Sequence, residues 1–256
     1  MTTLSSGASA PATLEQLLRR QDIWRGYAQR VTPSLALPTG FEDLDAVLLN
    51  QGWPLGSLIE ICQQGSTQAD WCLLLQALLN SQGLIVLLNP PELPFAQGLI
   101  QRGMDLERLV IVQCDGRANF LHSFVELCRS GACDAVLAWQ PKQALTYTHL
   151  RKCLLAADEA QGLYVLFRSV SAQQQNSPAA LRLVLDMHAS ELHVTIFKQR
   201  GMLQKQDCVL KLPLPQAWQP QLPHRLLIQG HSSAAAKKTG APRKPIAITI
   251  PFRGRA

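Results

Sequence analysis

LIEICQQGSTQADWCLLLQALLNSQGLIVLL, residues 58–88, decides the fold class of this chain. It begins with a short aliphatic run, crosses a polar turn at 63–70 that holds a glycine, continues as an amphipathic stretch and returns to the apolar run LIVLL. Strand, turn, helix, strand is the repeating unit of a parallel sheet, because parallel neighbours need a crossover that carries the chain back to the same end. The pattern repeats outward from this unit. Strands are expected over 58–62, 84–88, 109–113, 135–139 and 163–168, and helices over 69–81, 95–102, 118–129 and 147–160. Such alternation predicts an α/β fold, a parallel sheet with helices on both faces. Later, 181–187, 192–198 and 208–212 follow one another with no helix between them, so they are expected as antiparallel strands added to one edge. Thr13 and Gln16 form a capping box ahead of Leu14, Leu17 and Leu18, which predicts a short helix near the start. The expected division is a disordered start and N-terminal helix over 1–32, a core domain over 33–212, and a Pro-rich linker and basic tail over 213–256, where Pro213, Pro215, Pro220 and Pro223 break regular structure.

Composition bounds the functional classes. With 256 residues and 47% hydrophobic side chains, the chain can bury a full core, which excludes a wholly disordered protein. Apolar runs are strand-sized, as at 84–88, and none approaches the roughly 18 residues of a membrane span, so no membrane role is expected. The start carries neither a basic region nor an apolar one, and the expected location is cytoplasmic. Seven cysteines form no CxxC pair and read as reduced core residues. The six histidines have no metal-ligand spacing with them, and no metal or other cofactor is expected.

Charge is informative by position. Lys237, Lys238, Arg243, Lys244, Arg253 and Arg255 lie in the last 26 residues without an acid, and the remaining 18 basic residues balance the 18 acidic ones. This tail is either a solvated, solubilising segment or a weak electrostatic handle for nucleic acid or an acidic partner. Within it, Ile246, Ile248 and Ile250 alternate ahead of Phe252. A strand that docks on a partner's sheet edge is expected, with packing on the chain's own domain as the alternative.

In a parallel α/β fold, the turn after the first strand of the sheet is where a phosphate would sit, on the N-terminus of the next helix. A working P-loop needs a lysine for the terminal phosphates and a hydroxyl for magnesium, and this turn, Gly65, Ser66, Thr67, Gln68, Ala69, Asp70, offers neither in place. Ser66 and Thr67 have no local histidine or acid to activate them as nucleophiles.

LPTGFEDLDAVLLNQGWPLGSLIEI (37–61), GLIQRGMDLERLVIVQ (98–113) and LCRSGACDAVLAWQ (127–140) resemble segments of the RecA ATPase core, and the likeness runs in register from 37 to about 212. Together with DIWRG (22–26), GWPLG and FKQRG (197–201), they are similar to the ImuA family, whose relative is the cell-division inhibitor SulA. The resemblance implies a RecA-like core with a degenerate P-loop. In register, the nucleotide lysine falls on Ala69, the magnesium hydroxyl on Asp70, the water-activating glutamate on Pro91 with Glu92 beside it, and the acid of the Walker B strand on Trp139. It therefore implies a protein that is not an enzyme and has no small-molecule substrate. It also implies an accessory role in SOS-induced mutagenic translesion DNA synthesis, within the DNA damage response and DNA repair, through contacts with RecA and with ImuB beside a DnaE-type polymerase. The alternative is a SulA-like division inhibitor that binds FtsZ.

Lys198 and Arg200 match two basic residues that in RecA reach the ATP of a neighbouring subunit, which makes them candidate partner contacts. The counterparts of the DNA-reading loops, 140–146 and 169–177, are short and carry little charge, and the second has no aromatic ring. DNA contact is expected only from the tail. Trp53 and Trp139 are candidate partner-facing aromatics, with Trp139 better read as filling the vacated nucleotide site.

Overall fold

The computed structural model describes residues 35–65, 69–188, 191–201 and 207–214. The expected helix at 13–18, the DIWRG segment, Ser66, Thr67 and the whole basic tail lie outside them. Two short strands, β1 (Ala36–Leu37) and β2 (Trp53–Pro54), pair with each other around helix α1 (Glu42–Val47). The main chain of alternating elements follows: β3 (Ser57–Gln63), α2 (Ala69–Asn80), β4 (Leu84–Leu88), α3 (Ala96–Ile100), β5 (Leu109–Val112), α4 (Gly116–Arg129), β6 (Cys133–Trp139), α5 (Tyr147–Asp158) and β7 (Leu163–Ser169). Three further strands, β8 (Leu181–Met187), β9 (Glu191–Gln199) and β10 (Cys208–Pro213), complete a sheet in the order β10, β9, β8, β3, β7, β6, β4, β5. The protein is thus α/β, with a large, mostly parallel sheet and antiparallel strands at one side.

Side chains of a strand alternate between the two faces, and both faces here are covered, so the central strands read as nearly continuous apolar runs. Ile59, Ile61, Ile85, Leu87, Leu137 and Val165 pack on one face with Leu44, Leu73, Leu74, Leu78 and Leu99 of α1, α2 and α3. Leu58, Val86, Leu88, Val136 and Leu166 pack on the other with Phe120 and Phe124 of α4 and Leu150 and Cys153 of α5. Gly83, in the turn between α2 and β4, lies close against the start of the neighbouring strand β6. The Asp134 carboxylate accepts the Gln82 and Gly83 N–H groups there, and a Cβ on Gly83 would meet its Oδ1 at 2.5 Å.

Three expectations change. The strand at 181–187 pairs with β3 in parallel and is antiparallel only to β9. Its crossover from β7 contains a 3-10 turn, Val170–Gln174, in place of a helix, so no helical periodicity marks the reversal. The helix expected at 95–102 is only Ala96–Ile100, because Gly103 takes φ +86° and the Met104 N–H closes back on the Leu99 carbonyl, a glycine stop. Trp53 is fully buried in the α1–α2 side of the core, where it cannot face a partner. All seven cysteines are free, five of them buried. No helix among the described residues is long and apolar enough to cross a membrane.

Candidate functional site

Parallel strands deliver their carboxyl ends to one rim of the sheet, and a ligand of such a fold sits in a crevice on that rim. Here the rim holds a cleft of about 990 Å³. Gln63 and Gly65 line it after β3, Asn89 and Pro91 after β4, Gln113 to Gly116 after β5, Trp139 to Gln143 at the end of β6, and Phe167 to Ser169 at the end of β7. Its walls are held by local bonds. Asn89 takes φ +53°, donates from Nδ2 to the Cys114 carbonyl and accepts the Cys114 N–H at 2.6 Å, which ties the loop after β4 to the loop after β5. Gly65 turns the chain out of β3 at φ +73°, a backbone region that favours glycine.

Of the four helices that follow strand carboxyl ends on this rim, α2, α4 and α5 each have a side-chain group of the chain itself at the N-terminus. At α2, Asp70 is 5% exposed and accepts the Trp71 N–H at 3.0 Å. Burial pushes its carboxyl up to about 6, opposed by the Trp71 amide and by the Gln63 and Trp139 side chains beside it. Near pH 7 the carboxylate is therefore mostly ionised and supplies the negative charge that a helix N-terminus favours. At α4, Gln143 Oε1 accepts the Arg117 N–H at 3.3 Å. At α5, His149 Nδ1 accepts the Thr146 N–H at 3.1 Å. Partial desolvation and the charges of Arg117 and Lys152 lower the His149 pKa, which suits a neutral acceptor.

The resemblance-derived positions fall as follows. Gly65, Pro91 and Trp139 line the same cleft, while Ala69 and Asp70 are buried at the head of α2. Trp139 stacks on Phe167 with ring centroids 4.7 Å apart and planes inclined by 16°, filling the end of β6 with aromatic surface. Lys198 and Arg200 end β9 away from the cleft. Lys198 is half-buried and donates to the Ser177 carbonyl at 2.6 Å; Arg200 is exposed. Ile246, Ile248, Ile250 and Phe252, with the tail bases Lys237, Lys238, Arg243, Lys244, Arg253 and Arg255, lie outside the described residues.

Sequence reasoning missed a buried ionic network below the cleft. Glu60 accepts from Arg182 Nε at 2.8 Å, from Arg168 Nη1 at 3.4 Å and from the Ser177 hydroxyl. Arg168 also donates to Gln140 and Gln175, and Arg182 to the Ala172 carbonyl, with the Arg182 guanidinium 4.8 Å from the Phe197 ring centroid. A signal existed: LIEIC, LYVLFRS and LRLVL each carry one charge in an otherwise apolar strand, and a charge on a strand covered on both faces requires a partner. Burial and the nearby Glu60 carboxylate push the Cys62 thiol up to about 11, so it remains protonated and is no nucleophile. The chain matches no protein-family model and no curated protein.

Proposed function

We propose that this chain is a non-catalytic, RecA-like accessory factor of SOS-induced mutagenic translesion synthesis that acts by contacting RecA and ImuB. The observation that carries the reading is Asp70. A buried carboxylate at the N-terminus of the helix after the first sheet strand occupies, with its own charge, the place where a hydrolysing relative holds phosphate, and it would repel one. Trp139, stacked on Phe167 at the end of β6, has no carboxylate to offer a magnesium ion at the position of the Walker B acid. The mostly parallel core, with β9 and β10 antiparallel at one side, is compatible with the core that the resemblance implies. A subunit of this kind would meet RecA through Arg200 at the exposed end of β9, with Lys198 behind it, and would cap a filament end without supporting nucleotide turnover.

The test is genetic and biochemical together. Deleting the gene should abolish damage-induced mutagenesis without altering division, and the purified protein should retain RecA and ImuB in pull-downs. Filamentous cells on overexpression, with mutagenesis intact in the deletion, would reject the reading in favour of a division inhibitor.

A further inference from the structure

The sheet ends on two unlike edges. β10 carries Lys211 and closes on Pro213, a charge and a residue without an N–H, which discourage pairing with another strand. β5 reads Leu-Val-Ile-Val with neither, and among the described residues no strand pairs with its outer edge. Val110 and Ile111 are 38% and 39% exposed, one on each face. The connection from β4 packs on the side of the sheet that Ile111 shares with Leu109, and in it Leu93, Phe95 and Ile100 are 75%, 71% and 57% exposed. Scattered apolar exposure is ordinary, whereas apolar side chains grouped around an unpaired strand edge mark an interaction surface.

We propose that residues 246–250 of the same chain pair with this edge as an additional strand. Pro245 and Pro251 bracket Ile-Ala-Ile-Thr-Ile, a stretch of five residues that is long enough to pair along the four of β5. Alternation puts Ile246, Ile248 and Ile250 on one face, where they cover Ile111, Phe95 and Ile100 and leave Ala247 and Thr249 to the Val110 side. Charge fits in either strand direction. Asp105 and Glu107 precede β5 and Asp115 follows it, while Arg243 and Lys244 precede the isoleucines and Arg253 and Arg255 follow them. The arginines near this edge are directed elsewhere, Arg102 to the Gly98 carbonyl, Arg108 to those of Gly83 and Ser81, and Arg117 to that of Ala144. Reach is sufficient as well. Leu214 follows β10 on the far side of the sheet, roughly 34 Å away by strand spacing, and residues 215–245 extend to roughly 100 Å.

Hydrogen exchange on the full chain tests the proposal against a variant carrying I246D, I248D and I250D, with sedimentation of both. The β5 amides are expected to exchange at least about tenfold faster in the variant, a loss of local protection, while both proteins sediment as single chains. Phe95→Asp, at an exposed position, should release β5 in the same way with the tail intact. Equal β5 exchange in parent and tail variant would overturn the proposal, and so would protection seen only when the mass doubles on concentration, since the strand would then come from a second copy. RecA and ImuB are absent from this experiment, so its outcome is independent of the role proposed above.

Discussion

The Glu60 carboxylate and the Arg182 guanidinium, 122 residues apart in the chain, meet at 2.8 Å in the middle of the sheet, with side-chain exposures of 0% and 6%. Arg168 reaches the same carboxylate from β7, so one buried anion serves two buried cations. Such a cluster contributes little net stability over an apolar equivalent, but losing its single anion leaves two guanidinium groups without a counter-charge.

Glu60→Gln is therefore expected to destabilise the fold by about 3–5 kcal/mol, read as a fall in the urea midpoint with an unchanged slope. Arg129→Ala, which removes the exposed pair with Glu159 at 3.1 Å, is the control and should cost less than about 1 kcal/mol. Equal effects from the two variants would show that the buried cluster has no special weight.

Asp70 predicts a pH-dependent difference. Its folded-state pKa of about 6 lies above the ordinary 3.8, so between these values the folded chain holds a proton that the unfolded chain has released. Stability from this group is complete below the lower value and is lost as pH rises through the upper one. Asp70→Asn removes the titration. Melts at pH 7.5 should find the variant more stable, by on the order of 1–3 kcal/mol, with the margin closing towards pH 4. A margin that did not change with pH would contradict the assignment.

Purified protein should release no phosphate from ATP above background, since Ala69, Asp70, Pro91 and Trp139 stand where the resemblance requires lysine, hydroxyl, glutamate and acid. Turnover that disappeared on replacing the loop after Gly65 would refute this.

Lys198 and Arg200 should separate in their effects. Arg200→Ala, at an exposed position, should leave stability within about 0.5 kcal/mol and weaken RecA binding in a calorimetric titration. Lys198→Ala also loses the bond to the Ser177 carbonyl and should cost about 1 kcal/mol in stability. RecA affinity unchanged in both variants would remove β9 from the interface.

What the amino-acid order determined by itself was local. LIVLL at 84–88 and LRLVLDM at 181–187 form strands with the expected bounds, and the helix expected at 69–81 is present as Ala69–Asn80. Each rests on a hydrophobic period or a turn residue within a few positions, and that is the range over which propensity and side-chain direction act. The tertiary structure alone decided which strands became neighbours. β8 joined β3 in parallel across a crossover with no helical period, and Trp53 turned inward because β2 lies over the α1–α2 side of the core. The same holds for the site: Glu60 shows only that a buried charge needs a partner, and Arg168 and Arg182 could supply it only once β7 and β8 had flanked β3. The physical reason is that hydrogen-bonded pairing and charge compensation act through space at a few ångströms, and residues more than a hundred positions apart come within that distance only when the whole sheet has formed.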